Sequence, residues 1–132
     1  MRRALKAWKD DAARRAAFAS LRKSAARILD RAGPPRDAKL AALCALLHRG
    51  VPHYDWVGFY IVDPARKREL VLGPFEGEPT EHVRIPFGRG VCGRAAALQR
   101  TLRVDDVGAE SNYLACSLKV KSEIVVPIVR DG

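Results

Sequence analysis

The chain has 132 residues, 48% of them hydrophobic and 30% charged, which suffices for one globular domain with its own core and argues against disorder. No apolar run reaches the roughly 20 residues of a membrane span, and no apolar segment follows the basic N-terminus, so neither a membrane helix nor a secretory signal is expected and the protein is placed in the cytoplasm. The net charge of +9 is uneven: residues 1–32 hold ten Lys or Arg against three Asp, a surplus of +7, and the remaining hundred residues carry only +2.

The basic segment, residues 3–32, reads as a long helix rich in Ala and Arg. Phe18, Leu21, Ala25, Ile28 and Ala32 are spaced 3, 4, 3, 4, an a/d seam that either pairs two copies in a homodimer or packs on the helix's own domain. A basic helix can meet nucleic acid or anionic lipid, but no run of aromatic residues is present to stack bases, so a solvated face is expected and nucleic acid is not. Gly33-Pro34-Pro35 ends this helix. A second helix is expected over Arg36–Arg49, where Leu40, Leu43, Cys44 and Leu47 form an i, i+3, i+4, i+7 stripe. Gly50 suits the position just past its end, and Cys44 reads as a small core residue.

From Tyr54 the period changes. Trp56–Val62 and Glu69–Phe75 are β-rich runs separated by an Asp63-Pro64-Ala65-Arg66 turn, which predicts a hairpin. A short strand, His82–Pro86, leads into the glycine-rich Phe87–Gly93 and a helix over Val91–Arg100. Thr101–Val104 is a strand, Asp105–Lys121 is irregular, and Ser122–Val129 is a strongly apolar strand. Asp131-Gly132 is a hairpin-turn signal, from which a further strand is expected beyond it.

The three cysteines, Cys44, Cys92 and Cys116, are odd in number and widely spaced, with no CxxC pair and no His at zinc spacing, so neither a disulfide scaffold nor a metal is expected. Cys92 stands at a helix start beside Arg89 and Arg94, where thiolate is favoured, or it simply fits beneath tight glycine packing. The same glycine loop could hold a ligand carboxylate; it lacks the Lys-Ser/Thr ending of a triphosphate loop. Glu123 opens an otherwise apolar strand and either caps its exposed end or faces a pocket. Trp56 and Tyr60 share one face of a strand, as an apolar ligand wall or as plain core.

Three stretches carry a family resemblance. They are Trp56–Tyr60 with Leu72–Phe75, Arg84–Gly93, and Ala115-Cys116 with Ser122–Ile128. The order of strands and motifs from Tyr54 to Gly132 resembles a GAF domain, and these stretches together resemble the free methionine-(R)-sulfoxide reductases. The resemblance implies an α/β (α+β) fold, an antiparallel sheet flanked by helices whose last strand and helix would follow Gly132. Residues 1–33 are then a basic N-terminal helix and 34–132 the GAF domain. It implies reduction of free methionine (R)-sulfoxide with Cys116 as nucleophile, Glu123 as substrate holder, electrons from a thioredoxin-like protein and no cofactor. A non-catalytic module that binds another small ligand is the alternative. Two positions depart from the family pattern: His82 stands where the resolving cysteine is usual, and Ser117 stands where an acid follows the nucleophile. With Cys44 expected in the core, Cys92 is the remaining intramolecular partner for Cys116.

Overall fold

Asp10 decides where the first helix begins. Its backbone is extended, and its carboxylate accepts a hydrogen bond from the Ala13 N–H at 2.8 Å, satisfying one of the open donors of the first turn. In the computed structural model, which describes residues 8–107 and 121–130, helix α1 accordingly runs over Asp11–Asp30. The helix expected from residue 3 therefore starts later: Trp8, Lys9 and Asp10 precede it, and residues 3–7 lie outside the described residues. Asp11 in the first turn and Arg27 in the last both oppose the helix dipole.

The chain divides into two units, one running to Phe59 and including Gly73–Gly77, the other comprising Tyr60–Leu72 and the chain from Glu78 onward. The first is built on α1 and α2 (Arg36–Gly50), which pack on each other. The turn between them contains Gly33 at φ +106°, a conformation that glycine adopts without strain. Lys39 reaches back from α2 to donate to the Leu29 carbonyl at 2.8 Å, closing an acceptor that the end of α1 leaves open. Gly50 is the last residue of α2 rather than the residue beyond it, and the role expected for it changes accordingly. A Cβ there would lie 2.5 Å from Leu21 Cδ2, so its missing side chain lets the helices approach. Leu21, Ala25 and Ile28 of the a/d seam are half-buried, whereas Phe18 remains 38% exposed. Cys44 of α2 and Val51, which caps its end, are fully buried.

Strands β1 (Val57–Asp63) and β2 (Arg66–Glu76) form the expected hairpin, and their chain passes through both units. Its turn is tightened by Asp63, whose carboxylate accepts from the Ala65 N–H at 2.8 Å, so pairing starts at Arg66 rather than Glu69. In the second unit β2 pairs antiparallel with β3 (Arg84–Pro86), Leu70 lying opposite Ile85. Hydrogen bonds from Leu72 N–H to Val83 O and from Phe87 N–H to Arg68 O, both 2.9 Å, extend that pairing at each end. Helix α3 (Gly90–Leu98) packs on β3 and on β5 (Glu123–Val125), and β5 pairs antiparallel with β4 (Leu102–Val104). Leu70, Ile85, Val91, Ala95 and Val104 form this unit's core. The strand expected over Ser122–Val129 is shorter: among the described residues Glu123–Val125 pairs, with β4, and Val126, Ile128 and Val129 are at least half exposed. Among the described residues the sheet order is β1-β2-β3, and β4 pairs with β5. Asp131-Gly132 lies outside the described residues.

Candidate functional site

The glycine-rich loop of the second unit is the segment with the most unusual backbone. Gly88 and Gly90 have φ of +88° and +63°, a region that side chains resist. Gly88 N–H donates to Gly93 O at 2.8 Å and Arg89 N–H to Pro86 O at 3.1 Å, which folds the loop back onto the first turn of α3. Gly93 has an ordinary φ but no room: a Cβ there would stand 2.5 Å from the Pro86 carbonyl oxygen. The Arg68 guanidinium lies 5.2 Å from the Phe87 ring centroid, a cation–π contact at the loop's entrance. Cys92 sits half-buried in the first turn of α3, where the exposed N–H groups of a helix favour negative charge. Glu123 is half-buried at the start of β5, opposite Val104. Its strand and the helix of Cys92 are packed on each other. Cys116 lies outside the described residues.

Tyr60 belongs to the same unit. Its hydroxyl donates to the His82 carbonyl at 2.7 Å, and the His82 N–H donates to Thr80 Oγ1 at 3.1 Å, so the backbone at His82 is fixed from two sides. Next to it Arg84 bridges Asp63 at 2.9 Å and Glu69 at 3.4 Å, tying β3 to the hairpin. The Ala65 N–H first, and the Arg84 guanidinium second, hold the Asp63 carboxyl below its ordinary pKa. Arg84 is 21 residues from Asp63, a separation at which no sequence pattern announces the pair.

Trp56 lies in the first unit. Its ring stacks on Phe75 at 5.5 Å between centroids, and Gly58 and Gly77 make room for it, with Cβ atoms there falling 2.4 and 2.9 Å from indole atoms. Cys44, read from sequence as a core residue, is fully buried, and its thiol donates to the Pro74 carbonyl at 3.5 Å. Burial, and secondarily the charge of Glu76, push that thiol up to about 11. It is therefore the least ready of the described cysteines to act as a nucleophile. Among the described residues no three His, Cys, Asp or Glu side chains converge as metal ligands, and no helix is long and apolar enough to cross a membrane.

Residues 35–132 match the family model for the GAF domain. The chain is 47% identical over 95 residues to the YtsP protein of Bacillus subtilis, covering 72% of this chain and 57% of that protein. It is 44% identical over 92 residues to the free methionine-R-sulfoxide reductase of Escherichia coli, covering 70% of this chain and 53% of the enzyme. Among solved structures it is similar to the free methionine-R-sulfoxide reductase of Neisseria meningitidis in complex with its substrate. The TM-score is 0.79 at 40% identity, covering 99% of this chain and 74% of that one. The chain thus spans about half the length of the curated relatives it matches.

Proposed function

The chain belongs to the GAF domain family, and from that premise we propose that it serves the reduction of free methionine (R)-sulfoxide to methionine. The observation that carries this reading is the similarity to the Neisseria reductase, which extends over 99% of the chain and therefore includes the glycine loop, Cys92 and Glu123. In this reading residues 34–132 are the GAF domain behind a basic N-terminal helix, and the protein works in the cytoplasm.

The chemistry proceeds in three steps. The Cys116 sulfur attacks the sulfoxide sulfur and the protonated oxygen leaves as water; a water then attacks the Cys116 sulfur as the new S–S bond breaks, so methionine leaves reduced and Cys116 remains as the sulfenic acid. The Cys92 thiolate then attacks the Cys116 sulfur and expels water, forming a disulfide. A thioredoxin-type dithiol reduces that disulfide and carries away the two electron equivalents as its own disulfide. Glu123 holds the substrate's amino group, the glycine loop at the start of α3 its carboxylate, and Tyr60 is the apolar wall for the methylsulfinyl group. The Cys92–Cys116 bridge requires Cα atoms within about 7 Å. A homodimer through the a/d seam of α1, with Phe18, Leu21 and Ile28, belongs to the same reading.

His82 and Ser117, at positions where the reductases usually carry the resolving thiol and an acid, favour a second reading, a GAF module that binds a small ligand without turning it over. Incubation of the protein with free methionine (R)-sulfoxide, followed by mass spectrometry after one turnover, separates the two. The reductase releases methionine and shows a Cys92–Cys116 disulfide. Cys116→Ser releases none, and Cys92→Ser releases about one equivalent and stalls. Binding without any methionine release in the wild type overturns the reductase reading.

A further inference from the structure

In the second unit one guanidinium ties three strands together. Nη1 of Arg84, on β3, lies 2.9 Å from the Asp63 carboxylate of β1 and 3.4 Å from the Glu69 carboxylate of β2. The other oxygen of Glu69 meets Arg66 at 3.4 Å, so the charges alternate along Arg66, Glu69, Arg84 and Asp63. Glu69 and Arg84 are diagonal neighbours on one face of the sheet, since Glu69 stands opposite Pro86 and Arg84 opposite Val71. The two carboxyl side chains are largely withdrawn from water, 12% exposed for Asp63 and 20% for Glu69, whereas Arg84 is 46% exposed. Carboxylates so placed need a cation beside them, and removing it leaves two charges that repel. Arg84 opens β3, which has three residues and runs straight into the glycine loop. After it comes Ile85, buried in the core, and then Pro86, whose carbonyl is the point where loop and helix meet. That oxygen accepts from the Arg89 N–H at 3.1 Å, and a Cβ on Gly93 would lie 2.5 Å from it.

We propose that Arg84 is a positioning residue for the ligand site: held by Asp63 and Glu69, it fixes the Pro86 carbonyl and, through it, the glycine loop that receives the substrate's carboxylate. It acts through the loop rather than on the substrate. The carboxylate's place in that loop belongs to the reductase reading, on which this part rests, whereas the hold on the loop is independent of it. A strand of three residues makes few ladder bonds, and a tie that reaches past β2 to β1 resists a tilt of β3 that those bonds permit. Any such tilt moves the Pro86 carbonyl against the first turn of α3, where Gly93 leaves no slack. Stability alone does not call for the arrangement, because an ion pair with a half-exposed cation adds little to it. Its worth lies in geometry: loops that bind a ligand through backbone N–H groups depend on where those groups point.

The test uses the whole chain, the variants Arg84→Gln, Arg84→Lys and Glu69→Gln, and two readouts. The first is the rate at which iodoacetamide alkylates Cys92, followed by peptide mapping so that each cysteine is counted separately. It reports the start of α3 without any turnover. Arg84→Gln should change that rate by at least about fivefold, and Arg84→Lys, which keeps a cation between the two carboxylates, by less than about twofold. The second readout is methionine release from free methionine (R)-sulfoxide. In Arg84→Gln the KM should rise about tenfold while kcat falls less than about threefold; a merely structural role would lower the amount of active protein and leave KM where it was. The melting temperature should stay within about 4 °C of the wild type. If Arg84→Gln does not fold, Glu69→Gln, which removes the 3.4 Å limb and keeps the Asp63 limb, should show the same two changes at smaller size. Unchanged Cys92 alkylation in a folded variant overturns the proposal. Altered alkylation with an unchanged KM overturns the link to the carboxylate. A wild type that releases no methionine sinks the reductase reading and that link with it, and the alkylation rates then decide whether Arg84 holds the loop.

Discussion

Replacing Gly93 by Ala tests the idea that the glycine loop is held against α3 by close backbone packing. Gly93 lies inside a helix at an ordinary φ, so on propensity alone Ala would stabilise the protein by about 1 kcal/mol. The surroundings reverse the sign. The new methyl would stand 2.5 Å from Pro86 O and 3.2 Å from Gly88 N, and both are backbone atoms that cannot rotate away. Reaching ordinary contact requires the loop and helix to part by about 0.9 Å, an overpacking change that costs about 1–3 kcal/mol. The same movement strains the 2.8 Å bond from Gly88 N–H to Gly93 O, worth about 1 kcal/mol. The net expectation is a loss of about 1–3 kcal/mol, read as a melting temperature roughly 4–10 °C lower by circular dichroism. The displacement also moves Cys92, one residue away, so turnover should fall by more than stability alone explains. Gly88→Ala and Gly88→Asn provide the contrast: space around Gly88 is open, but its φ is +88°, so Asn should be tolerated better than Ala there. A Gly93→Ala protein that melts at or above the wild type would refute the packing argument.

The other expectations concern single, well-defined contacts. Asp10→Ala removes the cap of α1 and should lower stability by about 1 kcal/mol, with the loss of helical signal at 222 nm as the first part of the thermal transition. Tyr60→Phe deletes the 2.7 Å bond to the His82 carbonyl and should cost about 1 kcal/mol, seen as a shifted urea midpoint with unchanged slope. Cys44 should resist iodoacetamide at pH 8 in the native state while Cys92 reacts, and peptide mapping should show Cys44 labelled only after denaturant is added. Because the folded thiol is raised from 9.0 to about 11, its contribution is complete below pH 9 and is lost as the pH climbs through about 11; Cys44→Ala should remove that part of the alkaline destabilisation.

Local signals settled more of this molecule than its size suggests. The stripe Leu40, Leu43, Cys44 and Leu47 and the preceding prolines located α2 to within one residue at each end, because helix period and proline geometry act between near neighbours. Asp63-Pro64-Ala65-Arg66 announced the β1–β2 turn for the same reason, an Asx bond two residues long. The glycine-rich stretch before α3 was legible as a loop, and Cys44 as core. Even the start of α1 had a local cause, the Asp10 cap, which the Ala- and Arg-rich pattern upstream concealed.

What the tertiary structure alone decided was which distant groups each side chain faces. Gly50 looked like a helix terminator, but its lack of a side chain serves the approach of Leu21, 29 residues earlier. Gly93 was one glycine of a loop sequence, and only the fold shows that its missing side chain makes room for the Pro86 carbonyl. The Phe18–Ile28 seam suited either a dimer or an intramolecular helix, and the packing of α2 settled the side facing Leu21. A strand was expected over the eight residues Ser122–Val129, yet among the described residues its pairing with β4 spans Glu123–Val125, a register that needs both strands in place. In each case the deciding energy is a contact or a clash that changes steeply over less than 1 Å, between residues whose separation along the chain says nothing about their distance in space.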